Sequence, residues 1–203
     1  MKADPKIIFL WPEMPALPPP GQPVLIRVAA SASRPAAQRA LRAVLRQILA
    51  AWSNILPEQL PLHDTPRGPV WAGQIGEHSL DISFSYAEAE GVIGLMRAGL
   101  IGVDAMRIQR IAEVEAVALH YLGATAMNAI QRATDPPTAF ALAWTELEAR
   151  IKCLKRELNE WHLTQAFAAN KCAITNMLLP NNLAVSMATA SSLRVIPIST
   201  YEI

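Results

Sequence analysis

Hydrophobic residues recur at helical spacing in two segments of the chain. In the first segment, AAQRALRAVLRQILAAW, the apolar residues are three or four positions apart and the arginines lie on the opposite side of the helical wheel. The apolar set is Leu41, Leu45, Ile48 and Trp52, and the basic set is Arg39, Arg42 and Arg46. This pattern predicts one amphipathic helix, buried on one side.

The second segment, DPPTAFALAWTELEARIKCLKREL, carries a start signal as well as a periodic pattern. Asp135 is a suitable N-cap. Pro136 fits the first helical position because an N–H at that position would have no partner within the helix, so its absence costs nothing. The apolar residues again alternate four and three apart and predict a helix whose stripe faces a core. They are Phe140, Trp144, Leu147, Ile151, Leu154 and Leu158.

β-Leaning runs occur in two groups. LDISFSY, GVIGLMRA and LIGVDAM predict an antiparallel meander that ends at Asp104. KCAITNMLL, NLAVSMATA and LRVIPIS predict further strands, with a turn at Pro180-Asn181-Asn182. The chain therefore shows a helix followed by strands twice, which predicts an α+β fold with a weak internal duplication.

The remaining segments are less regular. The proline-rich start, with Pro18-Pro19-Pro20, predicts an extended connection after a short strand in KIIFLW. Recurring prolines and glycines between residues 53 and 76 indicate a loop with short strands. The alanine-rich stretch from 108 to 132 is consistent with one or two helices.

Composition excludes several classes of protein. Hydrophobic residues make up 52% of the chain, but no apolar run approaches the roughly 18 residues of a membrane span or has the pattern of a signal peptide. We therefore expect a soluble, cytoplasmic protein without a membrane partner. The net charge of +1 provides no field for nucleic acid. The two cysteines and four histidines have neither zinc-site spacing nor the pattern of a disulfide framework.

Two acidic residues allow more than one interpretation. Glu148 with Lys152 four residues later is most often a solvated helix pair worth about 0.2–0.5 kcal/mol. Asp104, at the expected end of a β run, is either a turn-forming residue or a metal ligand. Neither residue indicates a function by itself.

Taken together, the Gly-x-Asp of LIGVDAM and the later helix WTELEARIK resemble the 4'-phosphopantetheinyl transferase superfamily. RGPVW is similar to the Gly-x-Pro loop of this family, and LDISFSY is similar to its Asn-Ile-Ser-His-Ser strand. The length matches the larger, two-lobed type. The resemblance implies two helix-plus-antiparallel-sheet lobes, residues 1–103 and 104–203, related by pseudo-twofold symmetry with the site between them.

The resemblance also implies an activity: transfer of the phosphopantetheine arm of coenzyme A to a serine of an apo acyl or peptidyl carrier protein. Asp104, Glu148 and Lys152 would be the catalytic residues. Asp104 and Glu148 would be ligands of Mg²⁺, which prefers oxygen donors. Glu148 would also accept the serine proton, and Lys152 would compensate phosphate charge. Pro69 and Ser83 would contact the cofactor. Since one chain completes such a site, we expect a monomer.

Several positions depart from the family pattern. Met106 replaces a frequent third acidic residue, and Phe84 replaces a histidine that binds coenzyme A phosphate. Residues 155–157, Lys-Arg-Glu, replace a Gly-x-Gly, which suggests that the helix runs longer.

Basic residues elsewhere are candidates to replace the lost phosphate contacts, or they are only a solvated surface. They are Arg34, Arg39, Arg42, Arg46 and Arg67, of which Arg39 and Arg67 are the strongest candidates. Two alternatives to an active transferase stay open: a diverged homologue that binds coenzyme A or a carrier protein, and an unrelated α+β binding domain.

Overall fold

The computed structural model describes residues 8–30, 33–66, 68–160 and 171–191. Within them the chain is a mixed α+β fold, as predicted. The strands are β1 (Ile8–Leu10), β2 (Pro23–Ala29), β3 (Leu62–Thr65), β4 (Gly68–Trp71), β5 (Leu80–Ala87), β6 (Glu90–Arg97), β7 (Gly99–Arg107), β8 (Ala173–Leu179) and β9 (Leu183–Ser191). The α-helices are α1 (Arg34–Ser53), α2 (Val114–Arg132) and α3 (Pro136–Cys153), with a short 3₁₀ turn at Pro57–Gln59.

Two larger sheets and two helices form successive layers. The first sheet has the strand order β1-β2-β6-β5 and the second has the order β7-β9-β8, while β3 and β4 form a separate ribbon. One cluster of buried residues packs α1 against the first sheet. A second cluster lies between the two sheets, and a third packs α3 against the second sheet. The order of layers is therefore helix, sheet, sheet, helix.

The structure confirms α1 as an amphipathic helix that is buried on its predicted face. Leu41, Leu45 and Ile48 have no exposed surface, and Trp52 packs at the edge of the same cluster. Gly91 in β6 lets the helix approach the sheet, because a Cβ there would lie 2.2 Å from a methyl carbon of Leu41.

Helix α3 begins as predicted but buries a different face. Asp135 caps it by accepting hydrogen bonds from the backbone N–H and the hydroxyl of Thr138. The residues against the second sheet are small ones spaced four apart, namely Ala141, Thr145, Ala149 and Cys153. The large residues at the start of the expected stripe instead pack on α2, and these are Phe140, Trp144 and Leu147. The stripe ends on Leu158, which is 38% exposed.

The predicted meander is wrong at its third strand. β5 pairs with β6, but β7 leaves that sheet and pairs with β9. Asp104 was expected at a strand end and instead lies inside β7, directly opposite Ser186 of β9. The expected boundary between residues 103 and 104 therefore falls within a strand.

Side chains of β5 join the two sheets. β7 is an edge strand, and its outward N–H groups at Ile101, Val103 and Ala105 need partners. Three alternate residues of β5 accept these hydrogen bonds through Asp81 Oδ2, Ser83 Oγ and Ser85 Oγ, at 2.8, 3.0 and 3.0 Å respectively. Polar side chains thus replace the missing backbone ladder between β5 and β7.

Other elements agree with the sequence patterns or extend them. A kink at Gly123 divides α2 into two helical parts, in agreement with the one or two helices expected there. Residues 180–182 form the predicted turn. Strand β2 follows the proline-rich segment and was not predicted. The run LRVIPIS lies outside the described residues. Among the helices that the structure describes, none is long and apolar enough to cross a membrane.

Candidate functional site

The site is built where α3 lies directly on β7. A Cβ added to Gly102 would be 2.0 Å from the carbonyl oxygen of Ala149 and 2.4 Å from the amide nitrogen of Cys153. Only glycine permits this approach of helix backbone to strand. Residues 102 and 104 point to the same face of β7 because side chains alternate along a strand. Gly102 thus brings the helix within reach of Asp104.

The two candidate charged residues of α3 lie on one flank of its sheet-facing row. Glu148 is three residues after Thr145, and Lys152 is three residues after Ala149, so both project along the same edge of the contact. Thr145 has no exposed surface, and its hydroxyl oxygen lies 2.7 Å from that of Ser186. This hydroxyl pair ties α3 to β9 beside Asp104.

Lys152 reaches Asp104 across the helix–strand contact. Its Nζ donates to Asp104 Oδ1 at 2.7 Å, to the carbonyl oxygen of Val103 at 3.1 Å and to that of Phe84 at 3.4 Å. An ammonium group has three N–H donors, so each one has an acceptor within the chain. The ion-pair partner of Lys152 is therefore a strand residue, and not the solvated i, i+4 neighbour that the sequence alone favours.

Glu148 lies close to this ion pair without joining it. Burial raises the pKa of Glu148, the negative charge of Asp104 raises it further, and Lys152 opposes both effects. Within the described residues its carboxylate makes no hydrogen bond or ion pair. Glu148 is thus a half-buried acid near a second carboxylate, and the described part of the chain leaves its acceptor capacity unused.

A cleft of about 890 Å³ opens beside Asp104 and Lys152. Helix α1, the β3–β4 ribbon, strand β5 and the residues after α3 form its walls. Pro69 and Ser83, both expected to contact a cofactor, lie in this lining. Glu148 does not belong to the described lining. The volume is in the range of small-molecule binding sites, roughly 300–1,000 Å³.

The arginine candidates lie at different positions relative to the cleft. The cleft-facing row of α1 consists of Arg34, Gln38 and Arg42, which are spaced four apart. Arg39 lies one residue off this row, about 100° around the helix, and is exposed. Arg67 lies outside the described residues. Of the basic residues that were proposed from the sequence and that the structure describes, Arg34 and Arg42 are therefore the ones that line the cleft.

Helix α3 does not run longer where the family pattern has glycines. It ends at Cys153, and Lys155 takes a left-handed conformation with φ of 55°. This left-handed conformation is the one that glycine usually adopts at the end of a helix. The backbone at residue 155 is therefore glycine-like although the residue is a lysine. Lys155 Nζ contacts both carboxylate oxygens of Asp81, at 2.8 and 2.9 Å. This second lysine thus fastens the end of α3 to β5.

The two other departures from the family pattern have structural roles here. Met106 packs in the cluster between α2 and α3. Phe84 packs beside the α1 cluster, and its ring lies edge-on to that of Tyr86 with centroids 6.3 Å apart. The hydrogen bond between Phe84 and Lys152 uses the backbone carbonyl of Phe84. Both positions therefore contribute apolar packing in place of a charged or imidazole contact.

One residue of the site was missed from the sequence. Ser85 was matched to the family strand, but its contact with Asp104 Oδ1 at 2.8 Å was not foreseen. The available signal was alternation, since residues 81, 83 and 85 are polar and face one side of a strand.

The acidic side chains at the site are few. In the described part of the chain, no group of three or more His, Cys, Asp or Glu side chains gathers in a way that could hold a metal ion. Any ion at this site would therefore depend on Asp104, Glu148 and water.

Comparison of the sequence with models of known protein families gave no match, and comparison with characterised proteins gave none either.

Proposed function

We propose that the chain is a 4'-phosphopantetheinyl transferase, which attaches the phosphopantetheine arm of coenzyme A to a serine of an apo carrier protein. The observation that carries this proposal is the contact of Lys152 with Asp104 at 2.7 Å, beside a cleft of about 890 Å³. Two sequence fragments that resemble one family motif thus meet in space although they are far apart in the chain. The resemblance and the contact are independent observations.

The donor set fits Mg²⁺. Asp104 and Glu148 are close enough for the charge of Asp104 to raise the pKa of Glu148, and Glu148 has unused acceptor capacity among the described residues. Mg²⁺ binds proteins through one or two carboxylates and keeps several waters, so a third acidic side chain is not required. When bound, the ion would supply positive charge that offsets the charge of the coenzyme A phosphates.

The chain's own residues would divide the remaining work. Glu148 would accept the proton of the carrier serine, directly or through a water, and its raised pKa makes it a stronger base than an exposed glutamate. The serine oxygen would bond to the phosphorus of the phosphopantetheine arm, and adenosine 3',5'-bisphosphate would leave. Lys152 would balance the negative charge of the leaving group. To do so, its ammonium group would release one of its three acceptors, and its longest hydrogen bond is the one to the carbonyl oxygen of Phe84, at 3.4 Å.

Binding of coenzyme A would use the rest of the cleft. Arg34 and Arg42 would contact phosphate, because guanidinium groups donate two parallel hydrogen bonds to such oxygens. We also propose that α1 with the first sheet and α3 with the second sheet are two related lobes, and that the protein works as a cytoplasmic monomer. A monomer suffices because Asp104, Glu148 and Lys152 come from one chain.

A diverged homologue that binds coenzyme A or a carrier protein but transfers poorly is a second candidate. Two observations favour it. Phe84 provides no imidazole that could donate a hydrogen bond to coenzyme A phosphate. All three N–H donors of Lys152 already have acceptors within the chain, so none is left for a phosphate.

A mass measurement on carrier proteins separates these candidates. The protein is incubated with Mg²⁺, coenzyme A and several apo carrier proteins, and each carrier is weighed by mass spectrometry. A gain of one phosphopantetheine arm that disappears in Asp104→Asn and Glu148→Gln supports the transferase. Glu146→Gln is the matched control, since it removes a carboxylate from the same helix and should keep the transfer.

Two other outcomes have a defined meaning. Binding of coenzyme A without any mass gain on the carriers tested supports the diverged homologue. A protein that binds neither coenzyme A nor a carrier contradicts both candidates.

A further inference from the structure

The two carboxylate oxygens of Asp104 have different surroundings. Oδ1 accepts two hydrogen bonds, from Lys152 Nζ at 2.7 Å and from Ser85 Oγ at 2.8 Å. Oδ2 accepts none within the described residues. Asp104 is only 9% exposed, so its orientation matters to whatever it binds. The two donors on Oδ1 leave Oδ2 as the oxygen available to a ligand.

The direction of the Ser85 hydrogen bond is fixed by its second contact. Ser85 Oγ accepts from the backbone N–H of Ala105 at 3.0 Å, and its own proton is free to point elsewhere. An ionised carboxylate is an acceptor only, so this proton points to Asp104. Ser85 is itself only 4% exposed and thus shielded from competing water. It therefore holds both the side chain of Asp104 and the backbone of the next residue.

We propose that Ser85 is a positioning residue for the candidate metal site: together with Lys152 it holds the Asp104 carboxylate through Oδ1 and leaves Oδ2 available to the ion. The inference rests on the proposed function for the identity of the ligand. Its content is narrower, since it concerns the orientation of one side chain. Loss of a hydrogen bond that orients a metal ligand typically weakens metal binding by about 10–100-fold.

The chain contains a matched control for this inference. Ser83 Oγ accepts from the backbone N–H of Val103 at 3.0 Å, the same distance as in the Ser85 bond. Ser83 is 7% exposed, so its burial is also similar. It makes no hydrogen bond to Asp104 within the described residues. Replacing either serine by alanine removes one hydroxyl-to-backbone bond, but only Ser85→Ala also releases Asp104.

The test measures Mn²⁺ affinity by titration calorimetry, with Mn²⁺ as the probe for a divalent ion. The parent protein is compared with Ser83→Ala, Ser85→Ala and Ser85→Thr, and thermal unfolding is recorded for each. Both alanine variants should lose stability, and Ser85→Ala should lose more because it also loses the hydrogen bond to Asp104. The titration contains no coenzyme A, for which Ser83 is a candidate contact, so that it reports on the ion alone. Ser85→Ala should bind Mn²⁺ about tenfold more weakly, while Ser83→Ala should bind the ion like the parent and Ser85→Thr should restore most of the affinity. Equal affinities in the two alanine variants would overturn the inference.

Crystal structures of the parent and Ser85→Ala give a readout without metal. We expect the Asp104 carboxylate to rotate away from its parent orientation in the variant, and an unchanged side-chain rotamer would overturn the inference. If the parent protein binds no Mn²⁺, the metal part of the proposed function fails. The orientation of Asp104 in Ser85→Ala still decides whether Ser85 positions it, so the two failures are distinguishable.

Discussion

Gly102→Ala tests the close contact on which the site depends. The added Cβ would lie 2.0 Å from the carbonyl oxygen of Ala149, whereas ordinary contacts of a Cβ begin at 3.4 Å. Because cores are close-packed, helix α3 would have to move away from β7 by about 1 Å or more. The obstructing atoms are backbone, so no rotation of a side chain can relieve the clash. We expect a loss of about 3 kcal/mol in the free energy of unfolding, the upper part of the range for overpacked cores.

The assay is urea denaturation followed by tryptophan fluorescence, with Gly94→Ala as the control. A Cβ at Gly94 would meet the side chains of Val103 and Ile101 at 2.5 and 3.0 Å, and such atoms can turn aside. We expect Gly94→Ala to cost about 1 kcal/mol. The same displacement of α3 should lengthen the 2.7 Å contact of Lys152, so transfer should fall in Gly102→Ala. An unfolding free energy within about 0.5 kcal/mol of the parent would refute the reasoning.

Three further predictions concern side chains around the site. Because the pKa of Glu148 is higher in the folded than in the unfolded protein, protonation of Glu148 stabilises the fold. This stabilisation is complete below the ordinary pKa of 4.5 and is lost as the pH rises through the pKa of Glu148 in the folded protein. Glu148→Gln should therefore unfold like the parent near about pH 4 and be more stable near about pH 8; the same difference at both pH values would contradict this. Lys155→Gly should be more stable than Lys155→Ala by about 1 kcal/mol in urea denaturation, since both lose the contact with Asp81 and only glycine suits the positive φ. Phe84→His should tighten coenzyme A binding in calorimetry, and unchanged affinity would show that the missing imidazole does not limit binding.

Periodicity predicted the elements whose buried side chains are large. Leu41, Leu45 and Ile48 gave α1 its correct face because leucine and isoleucine stand out from polar neighbours at helical spacing. The sheet-facing row of α3 is small and partly polar, so the same test selected the face that packs on α2. Close approach of a helix to a strand requires small residues, and a hydrophobicity pattern gives them little weight. Gly102 lies at the point of closest approach, but the sequence does not show that α3 is the element packed against it.

The partner of β7 could not be predicted for a different reason. Strand β7 follows β6 after the single residue Ala98, and adjacent strands usually pair. The choice of β9 instead depends on packing of the two sheets against each other, which no local pattern records. The same choice moved Asp104 from an expected strand end into the strand interior. The meeting of Asp104 with Lys152 did not depend on this detail, because Gly102 sets the distance from α3 to the strand.

Strand β5 separates the side chain of Phe84 from the contacts of Asp104. Side chains alternate along the strand, so Ser83 and Ser85 face β7 while Phe84 faces the α1 side. The face of β5 that carries the serines binds β7 and Asp104. The opposite face lies on the side of Arg34 and Arg42 of α1. Substitution at residue 84 should therefore change the wall of the cleft on the side of α1 and leave the contacts of Asp104 intact. If this separation holds, Phe84→His should change the affinity for coenzyme A while the Mn²⁺ affinity stays at the parent value. A change in both affinities would mean that the two faces of β5 are not independent.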